Sequence, residues 1–383
     1  MNNEAFLSDL GELVQRHRGS DIPALTQPLT PREAGEFIQT CIKADRSFMA
    51  HGKPGVGKSE IAMQQADIAF AAKYDCTIDD YTVRDAKGKI LGVHQRPWFY
   101  DFRVAQRDGV DLTGVPYVEK GKGEASTRWA TPDIIADLDP RGGLFFFDEI
   151  NRGSDMTRNA AFSLVTTKNV GKTAMPPTWV CGAAVNDQDI GVSKMSAALT
   201  RRFAHFEMDT DLNDVCFYAI KRGWEPVVVA FLKMFPAMLN SFNPKERVSP
   251  NARAWEFISN IVAAGPASSR VQHALFAGSV GEAAAISFSA FLRMFNELPH
   301  MDAVMNTPKT APLPTSPGAM YAISAALAKR MTDKNIGRCL TYLNRLEQKD
   351  YAVFAVTSAM GRNPDLAKTP ESMKFHVEHQ ELM

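Results

Sequence analysis

Residues 52 to 59 read Gly52-Lys53-Pro54-Gly55-Val56-Gly57-Lys58-Ser59. The spacing is G-x-x-x-x-G-K-[ST], with one further glycine at position 55. Glycines so placed let backbone N–H groups turn inward around an anion. A helix starting here adds the partial positive charge of its amino end. Lys58 is expected to reach β- and γ-phosphate oxygens, and the Ser59 hydroxyl to ligate magnesium. Glu60 follows and is grouped with Gly52 to Ser59 as a nucleotide-binding position. A second signal is Leu144-Phe145-Phe146-Phe147-Asp148-Glu149, an apolar run ending in two acids. Asp148 is expected to hold magnesium through water, and Glu149 to orient and polarise an attacking water. Carboxylates beside a triphosphate are costly unless a cation compensates, so the pair fits a metal–phosphate site.

Four further residues have types suited to the same chemistry. Asn186 ends the stretch TWVCGAAVN, where its amide would hold water and the γ-phosphate. Arg201 and Arg202 are adjacent in LTRRFAHFEM, so one can face away from its own core. A guanidinium at a subunit edge would neutralise charge developing on a neighbour's γ-phosphate. Arg253, in SPNARAWEF, starts a helix and is a candidate to sense γ-phosphate. His51 is read as a strand-end residue, and the run Trp98, Phe99, Tyr100, Phe102 as core packing.

The elements that must position these residues follow from periodicity. Residues 4–18 pattern as a short amphipathic helix. TPREAGEFIQTCIKA has Thr30 as cap, Pro31 in the first turn and Glu33 reaching back. FMAHG, PWFYDFRVA, GGLFFFDEI and TWVCGAAVN read as buried strands, with helices between them. Alternating strands and helices over 46–208 predict an α/β unit with a parallel sheet between helices. After Asp209 helical periods dominate. The expected limits are an amino-terminal extension at 1–29, an α/β core at 30–208 and a helical lid at 209–298. A proline-rich linker at 299–318 and a helical extension at 319–383 follow.

Composition excludes several classes. The chain has 383 residues, 45% hydrophobic and 22% charged, enough for packed cores. Lys+Arg and Asp+Glu are both 43, which disfavours a strongly basic nucleic-acid coat. The five cysteines are scattered and form no C-x-x-C pair, against a disulfide framework or thiolate zinc site. Without a signal-like amino terminus or a long apolar run, a cytoplasmic protein with no membrane partner is expected.

The order of motifs resembles the AAA+ ATPases, and within them the MoxR-like or dynein-related branch. The pieces are GKPGVGKS, DLTGVP, GGLFFFDEINR, NVGKTAMPPTWVCGAAVN, ALTRRF and SPNARAW. The resemblance implies a P-loop NTPase core with a helical lid, binding ATP and Mg2+. Gly52 to Ser59 would be Walker A, and Asp148 and Glu149 Walker B. Asn186 would be sensor 1, Arg202 the arginine finger and Arg253 sensor 2. Arg202 is preferred over Arg201 because the family's arginine directly precedes a phenylalanine, here Phe203. Around sensor 1 this chain departs from its relatives, reading Ala184-Val185-Asn186-Asp187. Insertions near Leu112 to Thr131 and Asn169 to Pro177 would point toward a ring's pore. Some pieces also fit relatives encoded by phages and mobile elements.

The resemblance implies a homo-oligomeric, hexameric ring that couples ATP hydrolysis to remodelling or loading a protein client. Many relatives work beside a von Willebrand A domain protein. The alternatives are a nucleic-acid motor or loader, for which GKGEASTRW and the Lys168–Lys172 hairpin supply positive charge, and a nucleotide-dependent scaffold. An intact Glu149 argues against the scaffold.

Overall fold

A computed structural model describes residues 27–75, 82–84, 90–93, 96–120, 125–186, 195–241, 246–265, 268–296 and 301–379. The helix expected over 4–18, and Asp187 and Asp189, lie outside the described residues. The described residues divide into two compact units. One takes them from Met1–Gly52, Lys58–Asp75 and Pro97–Asp209, and the other from Lys53–Gly57, Cys76–Arg96 and Thr210–Met383.

The first unit is built on a five-stranded parallel sheet. Its strands are β1 (Phe48–His51), β2 (Phe99–Arg103), β3 (Gly143–Asp148), β4 (Trp179–Val185) and β5 (Ala204–Glu207). Their spatial order is β5-β1-β4-β3-β2, and every pairing is parallel. This is the α/β sheet expected from the sequence. Its strands read as continuous apolar runs because helices flank the sheet and bury both of its faces. On β3, Phe145 and Phe147 point to one side, into a core shared with Phe102, Ala161 and Leu164. Phe146 points to the other, near Phe48 and Phe99 at ring distances of 6.4 and 5.9 Å. Gly182 on β4 lets those aromatics approach: a Cβ there would lie 2.5 Å from Phe48 Cζ.

Helices α1 (Pro31–Lys43), α2 (Lys58–Phe70) and α3 (Asp155–Thr167) accompany the sheet. Thr30 and Glu33 cap α1 reciprocally, as their spacing predicts. Two antiparallel hairpins stand in the expected insertions. One joins Pro116–Lys120 to Ala125–Trp129, the other Asn169–Val170 to Thr173–Ala174.

The second unit also holds a short antiparallel ribbon, Thr82–Arg84 with Ile90–Val93. After Thr210 its described residues are helical. They include α4 (Leu212–Lys221), α5 (Pro226–Met234), α6 (Ala252–Ala264), α7 (Ser269–Val280) and α8 (Glu282–Asn296). Then come α9 (Met301–Asn306), α10 (Pro317–Arg330), α11 (Ile336–Leu343), α12 (Asp350–Arg362) and α13 (Pro370–Glu378). Helix α9 lies in the stretch where the prolines suggest a linker. Phe231, Trp255, Phe276 and Phe288 form one aromatic core, which Ala322, Ala325 and Phe354 also enter. Residues after 318 thus share a core with residues before 298. No helix among the described residues is long and apolar enough to cross a membrane.

Candidate nucleotide site

Parallel pairing brings the chemical residues to one edge of the sheet. His51 is level with Val185, so continuing the register sets Gly52 level with Asn186. On the other side of β4, Phe147 is level with Ala183, which sets Glu149 level with Val185. Because β4 lies between β1 and β3, its end carries Asn186 between Gly52 and the two acids.

The side chains connect along that edge. Lys58 is 7% exposed, and its Nζ donates to Gly52 O at 2.7 Å and Asn186 Oδ1 at 2.6 Å. Asn186 Nδ2 donates to Glu149 Oε1 at 3.2 Å. Ser59 Oγ donates to Asp148 Oδ2 at 3.1 Å. Lys58, Asn186 and Glu149 therefore form one hydrogen-bonded run, and Ser59 with Asp148 a pair adjacent to it in the chain. Gly52, Gly55 and Gly57 have φ of 149°, 79° and 99°, a backbone that side-chain-bearing residues rarely adopt. A Cβ on Gly57 would meet nothing within 4 Å. Lys53, Pro54, Gly55 and Glu60 are half-buried, and Val56 is buried.

The donor set fits magnesium. A hydroxyl and a carboxylate oxygen side by side are hard ligands, and this ion commonly takes one or two protein oxygens with phosphate and water. Ser59 and Asp148 would hold it. Among the described residues no group of three or more His, Cys, Asp or Glu could hold a metal unaided.

Glu149 sits in the left-handed region, at φ 54° and ψ 45°. That conformation costs an L-residue roughly 1–2 kcal/mol. The turn following it, Ile150–Arg152, is a single 3₁₀ turn. From it Arg152 Nη1 reaches Glu149 Oε2 at 3.4 Å, and Asn151 Nδ2 donates to Asn186 O at 3.2 Å.

Sequence reasoning missed Asn151, Arg103 and Asp101. Arg103 is level with Asp148 and donates to Asp101 Oδ2 at 2.9 Å. Burial pushes the Asp101 carboxyl up; Arg103 opposes that shift and Asp148 adds to it. The hydrogen bond to Asp101 raises the Arg103 guanidinium further, with Asp148 and Glu149 contributing. Only register reveals these neighbours. Asn151 had a local signal, an amide two residues beyond the DE pair.

Arg201 and Arg202 are both exposed. The Arg202 guanidinium lies over the Phe162 ring, 5.9 Å from its centre. Arg253 is exposed in the first turn of α6, in the helical unit.

No family model matches the chain, and no curated protein matches it. Solved structures with some likeness include NtrX from Brucella abortus, at 12% identity and a TM-score of 0.37, covering 99% of this chain and 73% of that one. NtrX in complex with ADP gives 11% and 0.37, over 98% and 72%. A Thermotoga maritima RuvB described as a Holliday junction branch migration motor gives 13% and 0.31, over 91% and 87%. At these values the likeness assigns neither a family nor an activity.

Proposed function

We propose that this chain is an ATP-hydrolysing motor that works as a ring of identical subunits, and that it belongs with the AAA+ ATPases. The observation carrying this reading is the unbroken run Gly52 O–Lys58–Asn186–Glu149, with Ser59–Asp148 beside it. It joins the carbonyl of Gly52, an ammonium, two carboxylates and an amide at one sheet edge.

Each group has a role in hydrolysis. The glycine loop and Lys58 hold the phosphates. Magnesium, when bound, neutralises charge on the β- and γ-phosphates. Ser59 and Asp148 would hold it. Glu149 accepts a proton from water as that water's oxygen bonds to the γ-phosphorus; the β–γ bridging oxygen leaves with the electron pair as ADP. Asn186 orients Glu149 through its Nδ2 and contacts Lys58 through its Oδ1. Arg202 is the residue offered to the next subunit's γ-phosphate, and Arg253 the sensor from the helical unit.

The client of the ring is a macromolecule, either protein or nucleic acid. The Pro116–Trp129 hairpin favours nucleic acid as a second reading. It presents Tyr117 and Trp129, 50% and 43% exposed, with Arg128 in the same ribbon. Exposed aromatics with a guanidinium suit base stacking.

The test uses purified protein. Lys58→Ala should lose nucleotide binding in calorimetry, whereas Glu149→Gln should bind ATP and fail to turn it over. Wild-type binding by Lys58→Ala would reject the phosphate loop. Affinity capture on Glu149→Gln with ATP, followed by protein mass spectrometry and nucleic-acid quantification, separates the two client classes.

A further inference from the structure

His51 and His205 face each other across neighbouring strands. In the β1–β5 register Met49 is level with His205, and strand alternation puts His51 on the same face as Met49. His51 Nε2 lies 2.9 Å from His205 Nδ1, and His205 Nε2 lies 2.7 Å from Thr200 O. A carbonyl only accepts, so His205 Nε2 carries the proton. In the neutral ring Nδ1 is then the acceptor, and His51 Nε2–H donates to it. With both rings neutral the bonds run from His51 to His205 to Thr200.

Both ends of this chain touch parts of the proposed machinery. His51 directly precedes Gly52, whose carbonyl accepts from Lys58 Nζ. At the other end, Thr200 O also accepts from Phe203 N at 3.3 Å, closing the turn that has Arg201 and Arg202 at its centre. That closing bond is long, and the shorter one from His205 is the firmer hold on the Thr200 peptide. Phosphate oxygens would compete with Gly52 O for Lys58, so nucleotide binding would bear on the Gly52 peptide next to His51.

We propose that His51 and His205 are positioning residues which tie a subunit's phosphate loop to the arginine turn it presents to its neighbour. Nucleotide on one loop thereby sets the pose of the arginine serving the next site. The inference rests on the ring ATPase reading and adds a route by which one site is coupled to the next.

The test is ATPase activity per competent phosphate loop in mixed assemblies. His205→Phe keeps a planar ring and removes both nitrogens. Alone, it should lower kcat roughly tenfold, the scale of one hydrogen bond, with KM for ATP little changed. Mixed with Glu149→Gln, which binds ATP without turning it over, its intact loop meets a neighbour with nucleotide bound and an intact arginine turn, and the rate per loop should rise toward wild type. A rate that stays low would mean that His205 acts on its own loop, which overturns the relay. The Arg202→Ala plus Glu149→Gln mixture is the control. If that control stays inactive, the arginine-in-trans reading falls and takes the relay with it. If the control regains activity and the His205→Phe mixture does not, only the relay falls. His205→Gln, whose amide can still donate to Thr200 O, should recover part of the lost kcat; equal losses in the Gln and Phe variants also overturn the proposal.

Discussion

Asp148 ends a strand in the sheet unit and Glu149 follows it; Glu225 directly precedes a helix in the helical unit. All three accept hydrogen bonds, but from different partners. Asp148 takes a hydroxyl from Ser59, and Glu149 takes an amide from Asn186 with Arg152 at the longer distance of 3.4 Å. Glu225, with a side chain only 8% exposed, takes Lys329 Nζ at 3.0 Å and Arg362 Nη1 at 3.2 Å. Burial alone would raise the Glu225 carboxyl; Arg362 and Lys329 outweigh it and hold it below the usual 4.5. Its place before the first turn of α5 adds the helix dipole. A carboxylate with two cations has nothing left to do but stay ionised. One held by neutral donors and a loose arginine keeps acceptor oxygens for a cation or a water. The left-handed backbone at Glu149 points the same way, since conformational strain is retained where structure serves chemistry.

The largest expected effect comes from making the same change in both places. Glu149→Gln should lower turnover by about 10²–10⁴-fold, the range for a general base, and leave the unfolding midpoint essentially unmoved. A loss of stability with normal turnover would mean that Glu149 is structural and that the contrast is wrong.

Glu225→Gln should do the reverse. It leaves two cations around a neutral amide and should cost about 1–3 kcal/mol in urea unfolding. ATP turnover per folded molecule should stay at the wild-type value. Stability equal to wild type would show that Lys329 and Arg362 simply relax into water.

How far each region was legible in the sequence follows the same division. The glycine spacing, the DE pair after an apolar run and Asn186 after the next strand are local patterns. Parallel pairing then brings their ends together. What stayed hidden depends on register or on long-range packing. Arg103 lies opposite Asp148 only because β2 pairs with β3 at that offset. His205 meets His51 only because β5 joins the far side of β1. The partners of Glu225 come from 104 and 137 residues further along, and no periodicity announces them. The helical unit was legible as helices, and its division was not: the prolines of 299–318 suggest a break, while Phe231 and Phe354 share one core.

The smallest effect is in acid, where the two units should respond with opposite signs. Glu225 has its folded value below the ordinary 4.5. Between those values the unfolded chain binds more protons, so stability rises with pH there. The contribution of Glu225 is complete above 4.5 and is lost as pH falls through the folded value. Asp101 in the sheet unit is shifted the other way, raised above 3.8 chiefly by burial. Between 3.8 and its folded value the folded state binds more protons, so acid favours folding at that site. Glu225→Gln should therefore flatten the fall in stability on acidification, and Asp101→Asn should steepen it. Urea midpoints and m-values followed from pH 6 downward would measure both. If both variants change the slope in the same direction, the two carboxylates are not held in the opposed ways that their partners indicate.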